Sequence, residues 1–272
     1  MKFVSIGSGS SGNTTFLQYK KTNILIDCGL PIRRIEDGLN EYDCSIKNID
    51  AILITHEHYD HIMSLSSILK KYDIKIFANK KTLKNIYNYY GENKKKFDPI
   101  VQDKILNNSN ILHDDSMHKI KDITFFPFKT HHDVPSICYT FILGNKIKVG
   151  ILTDTGFVDD YILQKLSGLN ALLLESNYDE NLLINSEKYP DFLKQRILSN
   201  KGHLANEDAA KIIMKINSSE LKIVALGHTS KETNTYEIAY DTVRDFINNN
   251  YKEKIPLPKI IVAKRDEITE VI

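Results

Sequence analysis

The chain has 272 residues, of which 42% are hydrophobic and 26% charged, and 36 Lys and Arg face 35 Asp and Glu for a net charge of +1. This composition excludes a disordered or fibrous chain, and the balanced charge excludes a protein that grips a polyanion through its overall field. The length allows a sizeable core, so we expect one large domain over residues 1–272.

Targeting signals and disulfides are not predicted. No segment approaches 18 uninterrupted apolar residues, and the first apolar run is too short for a signal sequence, so we predict a cytoplasmic protein without membrane association. Three cysteines form neither an even framework nor a CxxC pair, and they lie in or near apolar segments. We expect buried, reduced thiols at Cys28, Cys44 and Cys138.

Strands and helices alternate along the first half of the chain. Apolar and β-branched runs predict strands, and a helical apolar period predicts helices. The polar segment 92–117 predicts an irregular connection with room for a strand or two, and the Lys94–Lys96 run predicts a solvated loop. Predicted strands are 2–6, 14–19, 23–27, 51–55 and 75–78, and predicted helices are 31–40, one from residue 61, and 80–90.

The second half continues the alternation, which implies two βα-rich halves. Predicted strands are 123–128, 137–143, 147–152, 171–175, 222–226 and 259–263, and predicted helices are 159–167, 189–199, 205–216 and one from about residue 233.

The segment T-H-E-H-Y-D-H, residues 55–61, places four metal-capable side chains directly after an apolar strand. Its HxHxDH pattern arises by chance on the order of once in a thousand such chains. Imidazoles beside a carboxylate favour Zn²⁺, with Mn²⁺ or Fe²⁺ as alternatives. His56 and His58 point to one side of an extended segment, whereas Asp60 and His61 enter a helix and point elsewhere. The spacing therefore predicts two metal ions.

Further ligand types also follow apolar strands, and we expect them at the same sheet edge. They are His131 to Asp133 after FFPFKT, Asp154 after VGILT, and His228 after KIVALG. Two ions about 3.5–4 Å apart can share a hydroxide and clamp charge on a phosphoryl or acyl oxygen. His113 and His118 lack such a strand and are expected at the surface.

Together with Asp27 after a strand, these residues resemble the metallo-β-lactamase superfamily over nearly the whole chain. The resemblance implies an α/β (α+β) fold, the four-layer αββα sandwich of two mixed sheets flanked by helices, with a dinuclear site at the rim and Asp27 supporting it. H-D-V-P-S favours His132 over the alternative, His131. The implied ligands are His56, His58 and His132 for one metal, Asp60, His61 and His228 for the other, and Asp154 as the bridge.

Further motifs resemble the YycJ (WalJ) group of that superfamily: GSGSSGN (7–13), DCG (27–29), ESNYD (175–179), GHLAN (202–206) and LGHTS (226–230). The resemblance implies a 5′-directed DNA exonuclease, a phosphodiesterase in which a metal-bridging hydroxide attacks phosphorus. Its nucleic acid substrate would most readily be DNA, with RNA as an open alternative. Tyr178 departs from the group, which usually has His there, and this favours a structural role for that position.

Several residues are candidates for contact with the substrate. Asp60 and His203 are the predicted catalytic residues, and His203 would anchor a phosphate or protonate the leaving oxygen, unless it is a locally bonded structural histidine. Loop hydroxyls, amides and backbone N–H groups suit phosphate. The predicted phosphate contacts are Ser10, Ser11, Asn13, Thr229 and Ser230.

Two other functions remain open. The same metal site could hydrolyse a thioester, lactone or β-lactam carbonyl, although GHLAN and ESNYD argue against this. Alternatively, the protein could be a non-catalytic, metal-stabilised regulatory scaffold. A structural zinc site is closed by four protein ligands, whereas the implied ligands are divided between two ions and leave positions for water.

Overall fold

The computed structural model describes residues 1–92, 97–144 and 146–272, so the predicted Lys94–Lys96 loop lies outside the described residues. Its strands are β1 (Lys2–Gly7), β2 (Thr14–Tyr19), β3 (Thr22–Ile26), β4 (Ala51–Leu53), β5 (Lys75–Asn79), β6 (Ser109–Leu112), β7 (His118–Ile120), β8 (Ile123–Lys129), β9 (Ile137–Leu143), β10 (Ile147–Leu152), β11 (Ala171–Glu175), β12 (Ile223–Gly227), β13 (Lys259–Val262) and β14 (Thr269–Glu270).

The helices surround these strands and are joined by short loops. They are α1 (Ile32–Asn40), α2 (Tyr59–Ile62), α3 (Leu65–Lys71), α4 (Lys80–Glu92), α5 (Pro99–Asn108), α6 (Asp160–Lys165), α7 (Glu180–Ile184), α8 (Asp191–Leu198), α9 (Asn206–Ile216) and α10 (Tyr236–Asn250), with a 3-10 turn at Ile46–Asn48. None of the helices in the described part of the chain combines the length and the apolar character needed to cross a lipid bilayer.

The strands form two mixed sheets of seven strands each. The first has the order β14-β1-β2-β3-β4-β5-β6 and is antiparallel up to β3 and parallel from β3 to β6. The second has the order β13-β12-β11-β10-β9-β8-β7 and is parallel from β13 to β10 and antiparallel beyond. Each sheet therefore brings several strand ends to one edge.

Strand β4 shows how the four layers are built. Ala51 and Leu53 belong to the apolar core between the two sheets, whereas Ile52 belongs to the core under the helices of the first sheet. Successive strand residues face opposite sides, so a strand buried on both faces is apolar throughout. Helices α6, α9 and α10 cover the other sheet in the same way. The predicted αββα sandwich is confirmed, while the extent of a single domain stays a prediction.

The prediction of an irregular connection over residues 92–117 is partly wrong, because this segment contains helix α5. Asp98 accepts a hydrogen bond from the backbone N–H of Val101 at 3.2 Å, and Pro99 occupies the first turn. Val101 and Ile105, one turn apart, are the buried residues of this helix. Two buried apolar residues are too few to show a helical period, so the pattern did not predict α5. The Asp-Pro pair at its start was nevertheless a usable signal for a helix N-terminus.

Three shorter elements were also missed: α7 and the edge strands β7 and β14. Helix α7 is a single turn started by Asp179, whose side chain accepts from the backbone N–H of Leu182. Such short elements carry too few residues for a period. The expected state of the cysteines is confirmed, since Cys28, Cys44 and Cys138 are all buried and free.

The strand ends of both sheets meet at one rim. Asp27 follows β3, Asp154 lies just after β10, and His228 follows β12. In open α/β sheets, the crevice outside the carboxyl ends of the strands is where ligands bind.

Gly29 permits the closest backbone approach at this rim. A Cβ atom at this position would lie 1.6 Å from the carbonyl oxygen of Asp60 and 2.8 Å from the backbone nitrogen of His61. The neighbouring Cys28 donates its backbone N–H to the carbonyl of His61 at 2.8 Å. The loop after β3 therefore holds the turn that carries Asp60 and His61.

We expect Gly29→Ala to lower the free energy of unfolding by about 3 kcal/mol or more, because backbone cannot move aside as a side chain can. For a chain of this size that lowers the melting temperature by about 6 °C or more in calorimetry. Gly168→Ala is the matched control. The φ of +70° at this position strains alanine, but a Cβ atom there would meet nothing closer than the Lys148 ammonium at 3.9 Å. We therefore expect this variant to lose only about 1 kcal/mol of unfolding free energy. Equal losses in the two variants would contradict this account of Gly29.

Candidate metal centre

Three histidines converge in the first part of the rim site. His58 Nδ1 lies 3.0 Å from His56 Nε2 and 3.3 Å from His132 Nε2. Zinc–nitrogen bonds of about 2.0–2.1 Å in a tetrahedron place neighbouring donor atoms about 3.3 Å apart. The three nitrogen atoms are therefore spaced as ligands of a single ion.

The second nitrogen of each ring has a partner that turns the free lone pair inward. His56 Nδ1 lies 3.0 Å from Thr55 Oγ1, and His132 Nδ1 lies 3.1 Å from the carbonyl oxygen of Gly202. His58 Nε2 lies 3.4 Å from a carboxylate oxygen of Asp133. Partners of this kind orient ligating histidines and select the tautomer that binds metal.

The second part of the site contains carboxylates. Asp60 Oδ2 lies 3.5 Å from the Nε2 atoms of both His61 and His228. Asp154 contacts the same two rings, with Oδ2 at 3.2 Å from His61 Nε2 and Oδ1 at 3.5 Å from His228 Nε2. Its Oδ1 is also 4.0 Å from His132 Nε2. Asp154 thus lies between the two groups of donor atoms.

Asp27 lies behind His61. Its Oδ2 is 2.7 Å from His61 Nδ1, and it accepts hydrogen bonds of 2.8 Å from the backbone N–H and from the hydroxyl of Thr55. This arrangement fixes the ring with Nε2 toward Asp60 and Asp154. A carboxylate in this position also raises the basicity of the ring.

Glu175 is a site residue that the sequence reasoning missed. It is the last residue of β11 and fully buried, and its Oε1 lies 2.7 Å from His203 Nδ1 and 3.1 Å from His228 Nδ1. Its Oε2 accepts the backbone N–H of Thr155 at 3.0 Å. The rule that polar residues at strand ends meet at the rim applies to Glu175 as well, and it was the signal that could have found it.

Strained backbone accompanies the site. Asp27, Asp154 and His228 adopt the left-handed conformation, with φ of 58°, 54° and 53°. This conformation costs an L-residue roughly 1–2 kcal/mol, and such residues cluster at functional sites. The backbone N–H of His228 is held in place by a 2.7 Å hydrogen bond to the hydroxyl of Ser8.

The two parts of the site differ in charge. Burial lowers the pKa of His56 well below its usual value, and burial likewise lowers the pKa of His132. Burial also lowers the pKa of His228, but Asp154, Asp60 and Glu175 outweigh it and raise this pKa to about 10. His56 and His132 are therefore held neutral, whereas the carboxylates of the other part favour a cation between them.

His131 lies outside the two donor groups, whereas His203 lies next to one of them. His131 stacks on Phe157, with ring centroids 4.0 Å apart, and its Nε2 contacts Asp159 at 2.9 Å. His203 stacks on His228 at 5.2 Å and retains 18% of its side-chain exposure. His131 is thus outside the donor groups, while His203 borders them with a face open to solvent.

The predicted phosphate-contacting residues differ in how far their side chains are exposed. Ser10 and Ser11 are exposed, whereas the side-chain amide of Asn13 is buried and lies 3.4 Å from Asp60 Oδ2. Thr229 is fully buried, and the Ser230 hydroxyl accepts hydrogen bonds from residues 232 and 233. Ser10 and Ser11 therefore keep exposed hydroxyls, whereas the Asn13 amide also donates to the carbonyl oxygen of Gly9 at 3.0 Å.

The remaining singled-out residues lie apart from the donor groups. His113 is exposed, and His118 stacks on Phe125 at a centroid distance of 5.3 Å. Tyr178 is buried in a small cluster with Leu183 and Ala205. Burial raises the pKa of the Tyr178 hydroxyl, so the phenol stays protonated near neutrality.

Comparison with known proteins identifies the family. The family described as "beta-lactamase superfamily domain" matches residues 22–225. The chain belongs to the metallo-β-lactamase superfamily. It is 37% identical over 246 residues to exodeoxyribonuclease WalJ of Streptococcus pneumoniae serotype 2 (strain D39 / NCTC 7466), which covers 89% of this chain and 86% of the relative.

Two further comparisons agree with this membership of the metallo-β-lactamase superfamily. The chain is 32% identical over 239 residues to exodeoxyribonuclease YycJ of Bacillus anthracis, covering 88% of this chain and 86% of the relative. Zinc-bound PqqB from Methylobacterium extorquens has the same fold, with a TM-score of 0.72, 12% identity and 99% of both chains covered. The fold implies divalent metal ions, and the described residues include four groups that could hold them.

We predict that His132→Ala lowers the bound metal from two ions to about one per chain, because it removes one of three nitrogen donors. The matched control is His131→Ala, which changes the neighbouring histidine outside the donor groups and should retain both ions. Metal content after gel filtration, measured by inductively coupled plasma mass spectrometry, gives the numbers. Loss of metal in the His131 variant with retention in the His132 variant would reverse the assignment.

Proposed function

We propose that the protein is a dinuclear metal-dependent phosphodiesterase, specifically a 5′-directed exonuclease that acts on DNA rather than RNA. The observation that carries this proposal is the pair of adjoining donor groups with Asp154 between them. Their outer members keep access to solvent, with 29% of the His58 side chain and 25% of the Asp60 side chain exposed. The exodeoxyribonuclease names of the two relatives favour DNA and cutting from an end.

Two divalent transition-metal ions fit these residues, and zinc is the favoured ion. His56, His58 and His132 would hold one ion, Asp60, His61 and His228 the other, and Asp154 would bridge them. Imidazole nitrogens with a few carboxylates suit zinc better than calcium or magnesium. When bound, the pair would activate a water molecule and neutralise charge on the phosphoryl oxygens.

The chain's own residues would position the substrate and handle protons. Glu175 holds His203 by Nδ1. In the imidazolium form of the ring, the Nε2–H would pass its proton to the departing oxygen and leave a neutral imidazole bonded to Glu175. Asp60, beside His61 and His228, would orient the attacking water. Ser10 and Ser11 on the exposed loop, with the Asn13 amide behind them, would donate hydrogen bonds to the phosphate group. The cytoplasmic location stays a prediction.

We expect zinc- or manganese-loaded protein to release mononucleotides from the 5′ end of labelled DNA, and RNA to be cut more slowly. Gel analysis of 5′- and 3′-labelled single- and double-stranded substrates measures both polarity and preference. Asp60→Ala/His61→Ala should lose at least about 100-fold in rate, because it removes two donors of one ion. His131→Ala serves as the active control.

Three results would contradict this proposal. Internal cutting would contradict the exonuclease, and release from the 3′ end would contradict the polarity. No cleavage of any nucleic acid by protein containing two ions per chain would contradict the nuclease. In that case the thioester, lactone or β-lactam carbonyl substrates would be assayed next with the same protein.

A further inference from the structure

A basic groove adjoins the metal centre on the side of the first sheet. It has a cavity volume of about 480 Å³, within the roughly 300–1,000 Å³ of small-ligand sites;. Lys80, Lys81 and Lys129 line it, and so do His132 and Asp133. We call this cavity the lysine groove. The groove therefore shares a lining residue, His132, with the group that would hold the first metal ion.

Chain topology explains why lysines distant in sequence meet there. Lys80 and Lys81 begin α4 immediately after β5, and Lys129 ends β8. β5 is parallel to β4, which leads to His56, so the start of α4 lies at the metal-binding rim. β8 leads to His132 in the same way. The groove is thus formed by the same strand ends as the metal centre.

The charges that face the groove favour an anion. In the part of the chain that the structure describes, neither Lys80 nor Lys81 forms an ion pair, and both are exposed. Lys129 is 75% exposed and lies 3.7 Å from Asp114. The second acidic residue, Asp133, is paired with Arg196. Both carboxylates therefore have a cationic partner, and two lysines have none.

Hydrogen bonds around the buried Thr82 hold the groove in a fixed position beside the metal centre. Thr82, in the first turn of α4, is fully buried, and its Oγ1 lies 3.0 Å from the carbonyl oxygen of Pro135 and 3.1 Å from Glu57 Oε2. Asn79 donates to the same Pro135 carbonyl at 3.2 Å. Glu57 stands between His56 and His58. The helix with the lysines is therefore tied to both segments that carry the three histidines.

We propose that the lysine groove binds the sugar-phosphate backbone of the strand being cut, with Lys80, Lys81 and Lys129 contacting phosphates next to the scissile one. The inference rests on the proposed nuclease function and adds a substrate path to it. Lysine is a compact point charge that binds phosphate without reading sequence. Three lysines along one groove match a repeating anion better than a single small phosphate group.

The test compares Lys80→Ala/Lys81→Ala with a matched pair, Lys252→Ala/Lys254→Ala. The control lysines are exposed and precede β13, at the end of the sheet opposite the rim. Steady-state cleavage of a single-stranded oligonucleotide is measured from 50 to 200 mM salt. Hydrolysis of bis(p-nitrophenyl) phosphate by the same zinc-loaded proteins reports on the metal centre alone, since this small ester cannot span the groove.

For Lys80→Ala/Lys81→Ala we expect KM for DNA to rise on the order of 10-fold at low salt. The slope of log(1/KM) against log salt should become shallower by about 1.4, because each lost single-strand phosphate contact contributes about 0.7. Hydrolysis of the small ester should stay unchanged, and the control pair should match wild type in all three measurements.

Other results would overturn the proposal in distinguishable ways. An unchanged KM and slope in the Lys80/Lys81 variant, with wild-type DNA cleavage intact, would reject the groove alone. Equal losses in the control pair would assign the effect to overall charge. Loss of small-ester hydrolysis would mean that the lysines act on the metal centre. Wild-type protein that hydrolyses the ester but no nucleic acid would reject the nuclease function, and the groove with it.

Discussion

The carboxylate of Asp154 is buried between His132 of one donor group and His61 and His228 of the other, and the rim is arranged around that charge. Burial would raise the pKa of this carboxyl, but His228 and His61 hold it well below its usual range. A buried anion is tolerated only with a compensating cation close by. The left-handed turns at Asp27, Asp154 and His228 cost backbone energy, and they aim the side chains that supply or receive this compensation.

The two sheets contribute unequal parts to this arrangement. The first sheet delivers Asp27 and the segment from His56 to His61, and the second delivers His132, Asp154, Glu175 and His228. Neither of the two proposed ligand triads comes from one sheet alone, since His132 joins His56 and His58, and His228 joins Asp60 and His61, from across the interface between the sheets. Packing of the apolar core between the sheets is therefore a condition for the metal centre, and the lysine groove has the same dependence.

Much of this arrangement could be predicted from the sequence, for physical reasons. Apolar strands followed by His or Asp identify Asp154 and His228, because strand ends share an edge. The same rule could not separate His131 from His132, since both follow β8. The family resemblance favoured His132, and the contacts of His131 with Phe157 and of His132 with Gly202 and His58 support that choice. Glu175 ends an apolar strand and so satisfies the same rule, but its role depends on contacts with His203 and His228, which lie 28 and 53 residues further along the chain. The lysine groove has no sequence pattern, since its parts are about 50 residues apart.

Anomalous X-ray diffraction at the metal absorption edge tests the central claim most directly, using crystals of the zinc-loaded protein. We predict two peaks per chain, about 3.5–4 Å apart. One should lie among His56, His58 and His132, and the other among Asp60, His61 and His228, with Asp154 between them. A single peak, or peaks beside His131 and Asp159, would contradict a dinuclear centre built on these residues.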